Sequence, residues 1–247
     1  MSPDRTRRRP RLGFWYRLVV SVVRPPLRIF TKRDWRGAEH IPAEGGIIVA
    51  ANHVSELDPL ALGHFLIDHG RAPRFLAKAE LFRKPPLKWI FEGAQQIPVY
   101  RHAPDAAAVL QPAVDALARG ECVLIYPEGS ATRDPDLWPM KARTGVARVA
   151  LLSGAPVIPI AQWGPQEILP YKARRPKLFP RHIMKILAGA PVDLNAYVDK
   201  PLTAELLRAV TDTVMHRIAG QLAELRGGTP PKEFYDMKDH STMKESA

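Results

Sequence analysis

From residue 45 onward, short apolar runs alternate with segments of helical periodicity, and this alternation admits few architectures. The run Ile47-Ile48-Val49-Ala50-Ala51 reads as a buried strand. Residues 75–77, 97–100, 122–126, 157–161 and 183–187 are further strand candidates. Between them, residues 59–69, 105–118 and 141–152 carry helical patterns, the last two stopped by Gly120 and Gly154. Leu206, Val210, Val214, Ile218 and Leu222 recur every four residues, which predicts a final helix over 204–226, ended by Gly227 and Gly228. The expected fold is α/β, a mixed and largely parallel sheet flanked by helices. Ligands in such sheets gather where strands end and loops meet. The polar stretch 229–247 reads as a mobile tail. The chain shows no internal repeat and no clear linker.

Charge divides the chain unevenly. Residues 1–36 hold eleven Lys or Arg against two Asp, whereas the whole chain has a net charge of +11. The basicity is therefore mainly a property of the amino terminus, and it suits either nucleic acid or anionic lipid. Arg5, Arg7, Arg8, Arg9 and Arg11 form a basic arm, and an apolar run interrupted by Arg17 follows. That run is too short to span a bilayer, and no small-residue cleavage site follows it. Arg17, Ser21, Arg24 and Arg28 make one polar stripe on a helix, with Phe14, Trp15, Leu18, Val19, Val22 and Leu27 mostly elsewhere. This predicts an interfacial segment with arginines among headgroups, split by Pro25 and Pro26 into an amino-terminal membrane-interface helix pair. The competing reading packs the helix on the protein's own core with the arginines in water. A lipid-like apolar stretch after the basic arm speaks against nucleic acid. The expected organisation is a membrane-associating segment over 1–36, a catalytic domain over 37–228 and the tail.

Two motifs carry chemistry. The first is Asn52-His53-Val54-Ser55-Glu56-Leu57-Asp58-Pro59, between a strand and a helix. Asp58 suits the N-cap and Pro59 the first helical position. A carboxylate that accepts from one imidazole nitrogen leaves the other free as a base near neutral pH. On the residues alone, Asp58 as a plain cap and His53 as turn filler stays open. The second motif is Tyr126-Pro127-Glu128-Gly129-Ser130-Ala131-Thr132-Arg133-Asp134, after an apolar strand. Its glycine allows close approach of a ligand, and Arg133 can grip a phosphate through two donors. A simple turn is the alternative. Cys122, the one cysteine, reads as a small buried residue, and the other histidines show no metal-ligand spacing.

The pair His53 and Asp58 resembles the His-X4-Asp motif of the glycerolipid acyltransferase superfamily, whose best-known members are the lysophosphatidate (1-acyl-sn-glycerol-3-phosphate) acyltransferases. Tyr126-Pro127-Glu128-Gly129 resembles that family's aromatic-Pro-Glu-Gly-Thr block. Gly93-Ala94-Gln95-Gln96-Ile97-Pro98-Val99-Tyr100-Arg101 resembles the block between them, and Val157-Ile158-Pro159-Ile160 the apolar fourth block. All stand in family order within residues 52–161.

The resemblance implies an O-acyltransferase of phospholipid synthesis that forms phosphatidic acid. His53, oriented by Asp58, would deprotonate the hydroxyl of 1-acylglycerol 3-phosphate for attack on an acyl-CoA or acyl-carrier-protein thioester, with no cofactor, no metal and no acyl-enzyme. The acceptor phosphate would lie against Lys78, Arg101 and the loop of Glu128, Gly129, Ser130 and Arg133, with Glu128 organising the loop. The chain departs from the family in having Ser130 for threonine, Arg133 two positions late, and Gln95 and Gln96 in place of apolar residues. Glycerol 3-phosphate, another lysophospholipid or a glycolipid is an alternative acceptor, and a non-catalytic membrane-binding protein is an alternative of another class. A thioesterase or lipase would need a nucleophile elbow that the sequence lacks. The implied location is peripheral or monotopic on the cytoplasmic face of the membrane. Lys172, Arg174, Arg175, Lys177, Arg181 and Lys185 occur with no acid between Glu167 and Asp193. They read equally as a solvated face or as a docking face for coenzyme A phosphates, an acidic carrier protein or anionic lipid. Acyl-chain length, sn position, donor type and oligomeric state are not encoded legibly.

Overall fold

The computed structural model describes residues 12–83, 85–100 and 106–237. The apolar runs become strands that are covered on both faces. β2 (Ile47–Ala51) and β5 (Cys122–Ile125) are buried at every position, which explains why they read as continuous apolar runs rather than alternating ones. They join β1 (Thr31–Arg36), β3 (Pro73–Lys78), β4 (Ile97–Val99), β6 (Val157–Trp163) and β7 (His182–Ala188). The seven-stranded sheet has the order β1-β7-β6-β2-β5-β3-β4, and every pairing is parallel except β6 with β7. Val49 stands between Leu124 and Ile158 at its centre.

The helices are α1 (Phe14–Phe30), α2 (Asp58–Asp68), α3 (Leu87–Gly93), α4 (Ala106–Ala118), α5 (Gly145–Ser153), α6 (Pro165–Ile168) and α7 (Ala204–Arg226). Side chains alternate across the sheet and divide the core in two. Ile48, Ala50, Val123 and Ile125 meet Val146, Val149, Val214 and Ile218 of α5 and α7. Ile47, Val49 and Leu124 meet Leu62, Phe65 and Leu66 of α2 on the other side.

The structure departs from the sequence reading in several places. The expected helix pair is one continuous α1 with Pro25 and Pro26 inside it. The carbonyls that these prolines leave unserved, on Ser21 and Val22, lie on exposed residues that water reaches, so the interruption is not forced. Tertiary contacts hold both ends. The Tyr16 hydroxyl donates to the Pro73 carbonyl, and Arg24 is ion-paired with Asp68 of α2. The arginines therefore do not all face outward.

Within the expected amino-terminal segment, Thr31–Arg36 form β1, the edge strand beside β7. Its charges hid it, because an edge strand tolerates Lys32, Arg33, Asp34 and Arg36. α3 was missed because seven residues are too few to show a period. α5 begins at Gly145 rather than 141 because the backbone of the preceding residues is bonded elsewhere. Lys141 N–H donates to Tyr235, Arg143 N–H donates to Pro127, and Ala142 accepts from Arg208. The same bond to Tyr235 pins part of the expected mobile tail. Met140 and Tyr235 form a bridge, Lys141 pairs with Asp236, and Phe234 packs on the core.

Candidate active site

The carboxyl ends of the parallel strands converge on one side of the sheet. The turn after β2 delivers His53, and the loop after β5 delivers Tyr126 to Ser130. Lys78 closes β3. His53 Nδ1 lies 2.7 Å from Asp58 Oδ2. Asp58 is fully buried, and the same oxygen accepts from the N–H groups of Val54 and Ser55. This corrects the expected N-cap. Leu57 occupies the cap position, and the Asp58 carboxylate turns back to hold the loop before the helix. Burial raises the Asp58 pKa, opposed by the hydrogen bond and charge of His53. Donation from Nδ1 to the carboxylate places the imidazole lone pair on Nε2, and His53 lines the cavity.

The surrounding groups fix the turn. His53 N–H donates to Glu128 Oε1 at 2.9 Å, and Met140 N–H donates to Glu128 Oε2 at 2.9 Å. Thr132 N–H donates to the His53 carbonyl at 2.7 Å. Tyr126 stacks on the imidazole with ring centroids 4.4 Å apart. Asn52 is clamped to Gln162 of β6 by three hydrogen bonds. Burial pushes the Glu128 carboxyl up to about 8, against the two backbone donors that lower it.

A cavity of about 710 Å³ opens beside His53. Its apolar arm runs between α1, α2, β3 and α3, past Val19, Val23, Leu60, Phe75 and Phe91. Of the expected site residues, Lys78, Gly129 and Ser130 line it. Among the described residues, Ser130 Oγ is buried without a hydrogen-bond partner. Glu128 turns both oxygens to backbone donors and so organises the loop. Arg133 is not among the lining residues, because its guanidinium rests on the Tyr171 ring at 5.6 Å. Arg101 lies outside the described residues. The cavity instead gains Arg143, beside the start of α5, which sequence reasoning passed over. Its only signal was its place in Lys141-Ala142-Arg143-Thr144-Gly145, a run that had read as helix interior. Burial pushes the Cys122 thiol up to about 12, so it stays protonated within the core.

A proton acceptor held by a buried carboxylate at the mouth of an apolar groove suits transfer of an apolar acyl group to a hydroxyl. The family model for acyltransferases matches residues 32–163, a span that holds the His53 turn, the Glu128 loop and β6. The chain belongs to the acyltransferase family. This acyltransferase is 29% identical over 203 residues to the 1-acyl-sn-glycerol-3-phosphate acyltransferase of Bacillus subtilis (strain 168), covering 81% of this chain and 90% of that protein. It is 29% identical over 143 residues to the chloroplastic 1-acyl-sn-glycerol-3-phosphate acyltransferase BAT2 of Brassica napus, covering 57% of this chain and 40% of that protein. Its fold is similar to the crystal structure of the 1-acyl-sn-glycerophosphate (LPA) acyltransferase PlsC from Thermotoga maritima. The TM-score is 0.64 at 24% identity, over 87% of this chain and 83% of that one. The acyltransferase fold is thus a mostly parallel α/β sheet in both.

Proposed function

We propose that this acyltransferase moves a fatty acyl group from a coenzyme A or acyl-carrier-protein thioester to the free hydroxyl of 1-acylglycerol 3-phosphate. The observation that carries the reading is the His53–Asp58 pair, 2.7 Å apart, at the junction of an apolar groove and a cationic rim. The names of the Bacillus subtilis and Brassica napus relatives support the acceptor.

In this reading His53 Nε2 takes the hydroxyl proton as the oxygen attacks the thioester carbonyl. Asp58 stabilises the imidazolium that forms. Collapse of the tetrahedral intermediate breaks the carbon–sulfur bond, and the departing thiolate takes the proton back from His53. The acyl chain lies in the groove between α1, α2 and β3. Lys78, Arg143 and the amino-terminal end of α5 receive the acceptor phosphate. Ser130 Oγ, unsatisfied in the cavity wall, supplies a further donor to an oxyanion or to phosphate.

The exposed residues of α1 support docking on a lipid surface. Phe14 is 66% exposed, Val22 64% and Ile29 61%, and with Leu18 they form one apolar stripe. No helix among the described residues is long and apolar enough to cross a membrane. The test is purified protein with labelled palmitoyl and oleoyl thioesters and a panel of glycerol phosphates, lysophospholipids and phosphate-free lipids, with products resolved by mass and position. Transfer to 1-acylglycerol 3-phosphate should exceed transfer to the phosphate-free analogue. Equal rates would remove the phosphate rim from the account.

A further inference from the structure

The segment between α6 and β7 is basic and exposed, yet firmly held. Residues 172–177 are all exposed and include Lys172, Arg174, Arg175 and Lys177. Among the described residues none of these cations, nor Arg181, is ion-paired with a carboxylate. Several anchors prevent the segment from being a free surface loop. Ser55 Oγ donates to the Leu169 carbonyl at 2.7 Å, which ties its start to the His53 turn. Leu178 packs with Ala61, Ile168 and Met184. Arg181 donates to the carbonyls of Arg28 and Thr31, at the end of α1.

Held this way, the segment presents Phe179 at 75% exposure, the largest value among the exposed apolar residues described. Its ring meets Phe30 edge-on at 5.6 Å, next to exposed Ile29. An aromatic tip is thus continuous with the apolar stripe of α1 and stands beside unpaired cations. A solvated loop has no use for an exposed phenylalanine fixed by neighbours. The combination of an exposed aromatic wedge and flanking cations matches the boundary between acyl chains and anionic headgroups.

We propose that residues 170–181 form a second membrane contact beside α1. Phe179 enters the acyl boundary, and Arg174, Arg175 and Lys177 bind anionic phospholipid headgroups. The inference rests on the reading that α1 docks on lipid. Two adjoining contacts, on α1 and on this loop, would restrict the tilt of the molecule on the layer more than α1 alone.

The test compares the full chain with three variants on vesicles of phosphatidylcholine alone and mixed with phosphatidylglycerol. The variants are Arg174→Gln/Arg175→Gln/Lys177→Gln, Phe179→Ser, and Phe14→Ser/Leu18→Ser/Val22→Ser as the α1 control. Melting temperature and activity on micellar substrate check that each variant is folded. The charge variant should bind mixed vesicles on the order of 10²-fold more weakly at low salt, at about 1 kcal/mol per cation, and neutral vesicles unchanged. Phe179→Ser should weaken binding to both. If both loop variants bind like the parent while the α1 control is released, the loop contact is wrong and the α1 reading stands. If the parent binds neither vesicle, both fall. If the charge variant keeps its vesicle binding but raises the KM for acyl-CoA, or for acyl-carrier protein, the cations belong to the donor and the membrane assignment is overturned.

Discussion

At the scale of single residues, two carboxylates act on one imidazole in different ways. Asp58 touches the ring, while Glu128 holds the backbone that carries it. The His53→Ala variant should lose at least roughly 10²-fold in turnover, the lower range for removing a general base, with an unchanged melting temperature. Near-parental transfer would exclude the base role. Glu128 makes a pH prediction. Its folded value of about 8 lies above the ordinary 4.5, so the native state holds a proton that the unfolded chain has released. Its contribution to stability is therefore full below 4.5 and is lost as pH rises through about 8. Melting temperatures between pH 5 and pH 9 should fall less steeply for Glu128→Gln, which cannot ionise, than for the parent. Parallel slopes would show that Glu128 is charged throughout. His53 and Asp58 were legible because their spacing is fixed by a strand-to-helix turn. Arg143 was not, because its approach to the cavity depends on a backbone bond to Pro127, sixteen positions away along the chain.

At the scale of elements, one carboxylate ties α1 to α2. Asp68 of α2 faces Arg24, Arg28, Arg33 and His64. Its burial raises the pKa, but the hydrogen bond and charge of His64 and the charges of Arg24 and Arg28 outweigh that and lower it. The Asp68→Asn variant should loosen α1 from α2. Hydrogen exchange over residues 14–30 should quicken by about tenfold while β2 and β5 keep their protection. Uniform protection would mean that apolar packing alone holds α1. This contact is invisible in sequence, since nothing at residue 68 marks it as the partner of residue 24. The inner strands β2 and β5, by contrast, announced themselves, because a strand covered on both faces must be apolar throughout.

At the scale of the whole molecule, α1 serves two surfaces. Tyr16, Val19, Val20 and Val23 close the cavity, and Phe14, Leu18, Val22 and Ile29 face outward. Replacing Phe14, Leu18 and Val22 together by serine should lower vesicle partitioning by at least about tenfold, given ~1.5 to 3 kcal/mol per large apolar side chain withdrawn from lipid. Activity on micellar substrate should persist, because none of the three lines the cavity. Unchanged partitioning would assign the stripe to another partner.

The sequence by itself marked the inner strands and the pairing of His53 with Asp58, because burial demands apolar runs and because five-residue spacing at a strand end is a local matter. Tertiary structure alone decided that α1 is unbroken, that Arg133 turns to Tyr171 while Arg143 reaches the cavity, and that an exposed Phe179 meets Phe30. Each of those depends on partners distant in the chain, and local chemistry carries no record of which distant group will arrive.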